Sequence, residues 1–358
     1  MRLVRGVRFS SFPKNDIIEE DRSGAKTMFA IEVKGLVKIY DSKTRALDGI
    51  DLQITPGKLF AFLGPNGAGK TTLMRILTTQ LRPTSGQAVV FDQDVVKKAS
   101  GVRKLIGYVP QEMSVWTDVT GFENLLIYAK IYGVPAKSRN REIREALAGM
   151  GLAGVAGELV HKYSGGMIRR LEVACAMVVK PRILFLDEPT IGLDPAARKA
   201  VWDKILVFKR EYGTTVFFNT HYMDEADLYS DEIAIIDQGR MVKLGTAEEL
   251  KRSIGKETIH LILGAGDPDD RVVKAIKKLP FVSGITRDNS GITIMVGNAE
   301  ATLPAVIEAV RTEGIPLAGI SATKPTLDDV FLAYAGSSLS SGSGERDARS
   351  LRGQIRKG

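Results

Sequence analysis

Residues 64 to 72 read Gly64-Pro65-Asn66-Gly67-Ala68-Gly69-Lys70-Thr71-Thr72, the spacing of a phosphate-binding loop, and Leu186-Asp187-Glu188-Pro189-Thr190 sets two carboxylates side by side further along the chain. Glycines at 64, 67 and 69 let the backbone take φ > 0 and pass close to an anion, so that successive N–H groups converge on phosphates. Lys70 then reaches the β- and γ-phosphates, and the Thr71 hydroxyl takes one site on an octahedral Mg²⁺. Asp187 is placed to hold the same ion through its water shell, and Glu188 to polarise an attacking water. These residue types at these spacings predict ATP and Mg²⁺ as ligands and hydrolysis as the reaction.

Such residues work only if the fold points them at one another. The apolar run Lys58 to Leu63 reads as a short buried strand entering the loop, and Thr71 to Leu77 has helical spacing after it, so a helix N-terminus faces the phosphates. Ile183-Leu184-Phe185-Leu186 is a second buried strand, delivering Asp187 and Glu188 at its C-terminal end, where ligands bind in open α/β sheets. Tyr163-Ser164-Gly165-Gly166-Met167 precedes an expected helix from Ile168 to Val179; Ser164 can cap it, and the glycines offer bare N–H groups to an anion. Strands are expected at 29–34, 48–54, 58–63, 88–91, 105–109, 182–187, 214–219, 232–238 and 241–244, with a mainly helical stretch over about 112–178. The chain thus reads as an α/β, P-loop NTPase core over residues 29–255 with a helical subdomain.

After about Gly255 the pattern changes. Ile259, Leu261 and Leu263 alternate, Asp267 to Leu279 is amphipathic, Val282 to Thr286 and Ile292 to Val296 read as strands, a helical stripe spans 299–313, and Pro316 to Ser321 closes the series. The order β-α-β-β-α-β predicts a small ferredoxin-like α+β domain over 256–335. His260 is expected to face solvent. Residues 336–358 open on a Ser/Gly-rich run and are expected to be a disordered basic tail, and residues 1–28 a disordered N-terminal extension, with Met28 a second candidate for the start of translation.

The formal charge of +8 is no nucleic-acid signal: residues 1–27 hold six Lys/Arg against four Asp/Glu and residues 336–358 five against two, leaving only +3 on the body. No apolar stretch approaches the roughly 20 residues needed to span a bilayer, so a membrane role has to come through a partner. The single cysteine, Cys175, excludes an intramolecular disulfide and falls at helical spacing with Ile168, Leu171 and Val178, as a core residue does. No internal repeat is present, which gives one nucleotide-binding unit per chain.

Over roughly residues 30–250 the chain closely resembles the ATP-binding subunits of ABC transporters. Beside the two phosphate-site motifs, Tyr163 to Met167 is similar to the signature motif, Ile106 to Gln111 to the Q-loop, Gly192-Leu193-Asp194-Pro195 to the D-loop, and Thr220-His221 to the switch histidine; Tyr40 stands where the family stacks an aromatic ring on adenine. The resemblance implies an ABC ATPase core with antiparallel β and helical subdomains. It also implies a two-site dimer in which Ser164, Gly165 and Gly166 of one subunit close over ATP held by the phosphate loop of the other. His221 then senses the γ-phosphate, Gln111 couples Mg²⁺ and water to the helical subdomain, and Asp194 links the two sites.

Tyr163 and Met167 at the ends of the signature, with Thr326-Leu327-Asp328-Asp329-Val330-Phe331 near the C-terminus, resemble the exporter branch that includes daunorubicin-resistance and nodulation-type ATPases. That branch implies an efflux subunit at the cytoplasmic face of the membrane, paired with a second ATPase subunit (itself or a paralogue) and a separate integral membrane permease, with no specific nucleic acid. The alternative is a soluble ABC ATPase acting on ribosomes or DNA, which is expected to carry two ATPase units or a long coiled-coil insertion; neither is visible.

Overall fold

Near-continuous apolar runs are the mark of strands buried on both faces, and they build the centre of the first unit. The computed structural model describes residues 29–41, 43–255, 257–263, 270–288 and 291–339, and the expectations for residues 1–28 and 340–358 lie outside them. Two compact units divide the chain after Val242.

A six-stranded sheet runs in the order Arg240–Gly245, Glu232–Asp237, Leu59–Leu63, Thr215–Thr220, Ile183–Asp187, Ile106–Val109, its last five strands in the first unit. The pairs made by Leu59–Leu63 with Glu232–Asp237 and Thr215–Thr220, by Thr215–Thr220 with Ile183–Asp187, and by Ile183–Asp187 with Ile106–Val109 are all parallel. Phe60, Phe62 and Phe185 cluster around Phe217, with ring centroids 5.6–5.7 Å apart. Each such ring, fully buried, contributes about 1.5–3 kcal/mol.

A four-stranded antiparallel sheet, ordered Thr44–Ile54, Ile31–Tyr40, Ser85–Val90, Gln93–Asp94, packs with the helix Lys70–Leu77 into the same core. Between Ile106–Val109 and Ile183–Asp187 come the helices Gly121–Ile131, Ala136–Gly149 and Gly165–Met177, the helical stretch expected from the sequence. The first is fixed at its start by a capping box in which Thr120 and Glu123 satisfy each other's backbone N–H groups. Cys175 lies in the third and is buried, and loss of water pushes its thiol pKa well up, so it is a core group and not a nucleophile.

In the second unit the strands Glu257–Leu263, Val282–Asp288, Gly291–Val296 and Leu317–Thr323 alternate with the helices Asp270–Lys277 and Ala299–Thr312. The sheet is antiparallel throughout and ordered second, third, first, fourth. Ile259, Leu261, Ile292, Ile294 and Val296 pack against Val272, Ile276, Val306 and Val310 of the helices.

Three expectations are corrected here. His260 is half-buried, its Nδ1 3.1 Å from Oγ1 of its cross-strand partner Thr293, and not simply solvated. The helix Ala247–Ile254, read from the sequence as part of the ATPase core, belongs to this unit; it packs on the helix Leu327–Leu339, with Tyr334 Oη donating to Ser253 Oγ at 3.0 Å. That last helix, starting at a Thr326–Asp329 reciprocal cap, also runs past the tail boundary expected at residue 336.

Candidate functional site

Four adjacent parallel strands end on the same edge of the six-stranded sheet, and the chain leaves each of them through a residue singled out by its chemistry. Leu59–Leu63 runs into the phosphate loop, Thr215–Thr220 into His221, Ile183–Asp187 into Glu188, and Ile106–Val109 into Gln111. Because the strands are in register, with Leu63 opposite Thr220 and Asp187 opposite Asn219, these groups arrive at one level.

Sterics explain two of the loop's three glycines. A Cβ on Gly64 would sit 2.5 Å from the Ile236 carbonyl oxygen, and one on Gly69, at φ 108°, 2.4 Å from that of Ala46. Ala68 is buried in the turn of the loop, its N–H donating to Pro65 O at 3.2 Å. Lys70 begins the helix that follows, and its buried ammonium folds back to donate to Gly64 O at 2.6 Å and Pro65 O at 3.1 Å. Burial lowers its pKa from the usual lysine value, while the nearby Glu188 and Asp187 carboxylates act the other way. Pro65, Asn66, Gly67, Gly69, Lys70, Thr71 and Thr72 line a cavity of about 320 Å³ together with Gln111 and Glu188. A second cavity, of about 710 Å³, shares Thr71 and Gln111 with it and adds Tyr40, Tyr108 and Asp187. Tyr40 lines only this second cavity, with Lys38 Nζ 5.2 Å from its ring centroid.

The two acidic residues occupy different environments. Asp187 is buried; its Oδ1 accepts from Asn219 Nδ2 at 2.9 Å and from Thr71 Oγ1 at 3.4 Å, and its Oδ2 has no hydrogen-bond partner. Loss of water raises its pKa, the Asn219 and Thr71 bonds oppose this, and Glu188 adds to it. A buried carboxylate with one unpartnered oxygen beside a threonine hydroxyl is the donor set that a hard divalent cation takes. Glu188 sits at φ 49°, in the left-handed region, where a non-glycine residue costs of order 1–3 kcal/mol. Gln111 Nε2 donates to its Oε2 at 3.4 Å, and His221 Nδ1 stands 3.2 Å from its Oε1.

Not every residue expected in the site is brought to it within one chain. Ser164 caps the helix Gly165–Met177, its Oγ accepting from Met167 N at 3.3 Å; Ser164 and Gly165 are exposed, and Gly166 is half-buried. Asp194 caps the helix Pro195–Tyr212, accepting from the N–H groups of Ala196 and Ala197 at 2.9 and 3.0 Å. None of these four lines either cavity.

Three residues that frame the site were passed over in the sequence. Asn219 follows the apolar run Val216-Phe217-Phe218 in a fully buried strand, and an amide in that place is the signal that could have found it. Glu225, 1% exposed, accepts from Thr190 Oγ1 and, at 3.0 Å, from Thr220 Oγ1, with Arg198 Nε 3.7 Å away. It joins the turn after Glu188, the residue before His221 and the helix that Asp194 caps. Arg169 is buried beneath Glu188 and pairs with Glu172 at 2.8 Å; opposite charges three apart on an apolar helix were its trace in the sequence.

Comparison with known proteins agrees with this geometry. Residues 47–191 match the family described as ABC transporter, and residues 245–335 match the family described as ATP-binding protein DrrA1-3-like, C-terminal domain. The daunorubicin/doxorubicin resistance ATP-binding protein DrrA of Streptomyces peucetius is 40% identical over 86% of this chain and 92% of its own length. The linearmycin resistance ATP-binding protein LnrL of Bacillus subtilis (strain 168) is 31% identical over 86% of this chain and 99% of its own. Among solved structures, cbiO1 from Clostridium perfringens, part of an ABC transporter complex, superposes with a TM-score of 0.58 at 27% identity, covering 63% of this chain and 94% of that one. A dimeric ATP-binding cassette in a post-hydrolysis state with ADP and Pi shares the fold, with a TM-score of 0.55 at 24% identity over 60% of this chain and 98% of its own. Phosphate loop, paired carboxylates and kinship together make the chain an ATPase, and it belongs to the ATP-binding subunits of the ABC transporter family.

Proposed function

We propose that this protein is the ATP-hydrolysing subunit of an efflux transporter, working as a dimer with a separate membrane permease at the cytoplasmic face of the membrane. The observation that carries the reading is the Glu188 carboxylate, flanked by Gln111 on one oxygen and His221 on the other at the mouth of the phosphate loop. Glu188 orients and deprotonates the attacking water, and His221 and Gln111 hold the water and the γ-phosphate in line with it. Lys70 swings from its loop carbonyls to the β- and γ-phosphates, and the loop N–H groups cradle the rest. Thr71, Asp187 and Gln111 would hold Mg²⁺, which offsets charge on the transferred phosphoryl group when it is bound. Tyr40 stacks on the adenine.

Ser164, Gly165, Gly166 and Asp194 act on the nucleotide of a second copy. The exposure of Ser164, Gly165 and Asp194, and the absence of all four residues from the lining of the chain's own phosphate-loop cavity, support that role. ATP bound between the copies stabilises the closed dimer over the open one, and hydrolysis removes that difference, which is how the cycle is driven. Among the described residues no helix is long and apolar enough to cross a membrane. The resistance functions in the relatives' names favour export over action on ribosomes or DNA. The second unit we read as a ferredoxin-like domain following the ATPase core, on the strength of its strand order.

Purification of the native protein from gently solubilised cells tests this reading. A polytopic membrane protein recovered in matching amount, identified by mass spectrometry, is the expected result. Ribosomal or DNA-bound partners with no membrane protein would overturn it.

A further inference from the structure

We propose that Arg169 is a positioning residue for hydrolysis, the group that holds Glu188 and Gln111 in their working geometry. The inference rests on the ATPase reading above and names a part of that site which neither motif contains.

Arg169 lies one turn into the helix Gly165–Met177 and is 6% exposed. A guanidinium has five N–H donors in a fixed planar fork, and all five are used. Nε donates to Pro189 O at 2.7 Å, Nη2 to Asp187 O and Glu188 O at 3.0 Å each, and Nη1 to Pro110 O and Glu172 Oε2 at 2.8 Å each. The carbonyls of Asp187 and Glu188 belong to the two peptides on either side of the Glu188 Cα. Fixing both planes fixes the direction of its Cα–Cβ bond, and so where its carboxylate can reach.

That restraint matters because Glu188 is held at φ 49°, a conformation that persists only when its surroundings over-determine it. Its N–H is bonded to Asn219 O at 3.1 Å, and the Arg169 fork supplies the restraint on the other side. The same fork reaches Pro110 O, the carbonyl immediately before Gln111, whose amide meets Glu188 Oε2. One side chain therefore sets both partners of that contact.

Glu172 completes the device. It neutralises the buried guanidinium and accepts from Ser114 N at 2.6 Å and Ser114 Oγ at 3.1 Å, so the segment after Gln111 is tied to the same helix. Ser164 caps this helix five residues before Arg169, and a rigid shift of the helix is passed to Glu188 through these bonds. Lysine cannot replace the arrangement: its three donors radiate from one atom and cannot span three consecutive carbonyls, Pro110 and Glu172 at once.

The test compares Arg169→Lys with wild type and Glu188→Gln in the full chain, measuring kcat, KM, Mg·ATP affinity and melting temperature. Ile143→Ala, a cavity in a buried position of the helix Ala136–Gly149, serves as a stability control. Displacement of Glu188 by Arg169→Lys is expected to lower kcat roughly 100-fold with affinity and KM unchanged, whereas Ile143→Ala lowers the melting temperature and leaves kcat intact. Arg169→Lys that retains wild-type kcat, or loses kcat and affinity in parallel as its melting temperature falls, overturns the proposal. Wild-type hydrolysis that Glu188→Gln does not reduce overturns the underlying reading itself, a result distinct from failure of the Arg169 assignment alone.

Discussion

His221 Nδ1 stands 3.2 Å from Glu188 Oε1, though 33 residues separate them in the chain. The pair exists because Ile183–Asp187 and Thr215–Thr220 are neighbouring parallel strands, with Asp187 opposite Asn219, so each residue is the first beyond its strand. An imidazole and a carboxylate at that spacing can hold one water between the protein and a γ-phosphate. Replacement of His221 by alanine is expected to reduce ATP turnover by roughly 100-fold while the affinity for Mg·ATP stays as it was, measured by steady-state hydrolysis beside equilibrium binding.

Lys70 gives the nucleotide site an alkaline limit. Burial lowers the pKa of its ammonium from 10.5, so the free protein loses that proton at lower pH than an exposed lysine does. ATP binding requires the charged form, and affinity should therefore fall as pH rises through the lowered value, with proton uptake on binding in that range. Titration calorimetry in buffers of different ionisation enthalpy reads the uptake directly, and Lys70→Ala should abolish both the uptake and most of the affinity.

Asp187 has the opposite sense. Its folded-state pKa is raised above the unfolded 3.8, chiefly by loss of water, so its carboxylate costs stability at neutral pH; the cost is relieved as pH falls through the folded value toward 3.8. Asp187→Asn should therefore leave the ligand-free melting temperature equal to or above wild type. The same variant should lose the Mg²⁺-dependent part of the stabilisation by ATP, which for a ligand at a hundred times its Kd is about 2.7 kcal/mol. Melting curves with ATP, with and without Mg²⁺, separate the two effects.

Glu225 is buried among Thr190, Thr220 and Arg198. Glu225→Ala strands both hydroxyls and a part-buried guanidinium, and is expected to cost about 3 kcal/mol in denaturant unfolding. Glu225→Gln keeps the shape and one threonine bond, the other hydroxyl turning to accept from the new amide, and should cost distinctly less.

Much of this site was legible in the sequence because its motifs are contiguous: the phosphate loop, Asp187-Glu188 and Thr220-His221 each carry their own strand and turn. The β-α-β-β-α-β order of the second unit was legible too, since Ile259, Leu261, Ile292, Ile294 and Val296 alternate as half-buried strands do. What escaped was set by tertiary contact. Arg169 and Glu225 lie in helices outside the phosphate-site motifs, and only packing shows both to be buried. The helix Leu327–Leu339 was passed over although its Thr326–Asp329 cap is a local signal, and the helix Ala247–Ile254 shifted unit because its partner lies some 80 residues on. His260 was read from alternation alone, which places it on the right face but says nothing of Thr293 across the strand.

In the proposed cycle Glu188 drives hydrolysis of ATP held between two copies of this chain. Purified Glu188→Gln with Mg·ATP, followed at once by light scattering for mass and by phosphate release, tests it most directly. A stable dimer retaining ATP, with turnover lowered by a factor of about 10² to 10⁴, is the expected result. A monomer that hydrolyses ATP at the wild-type rate would contradict it.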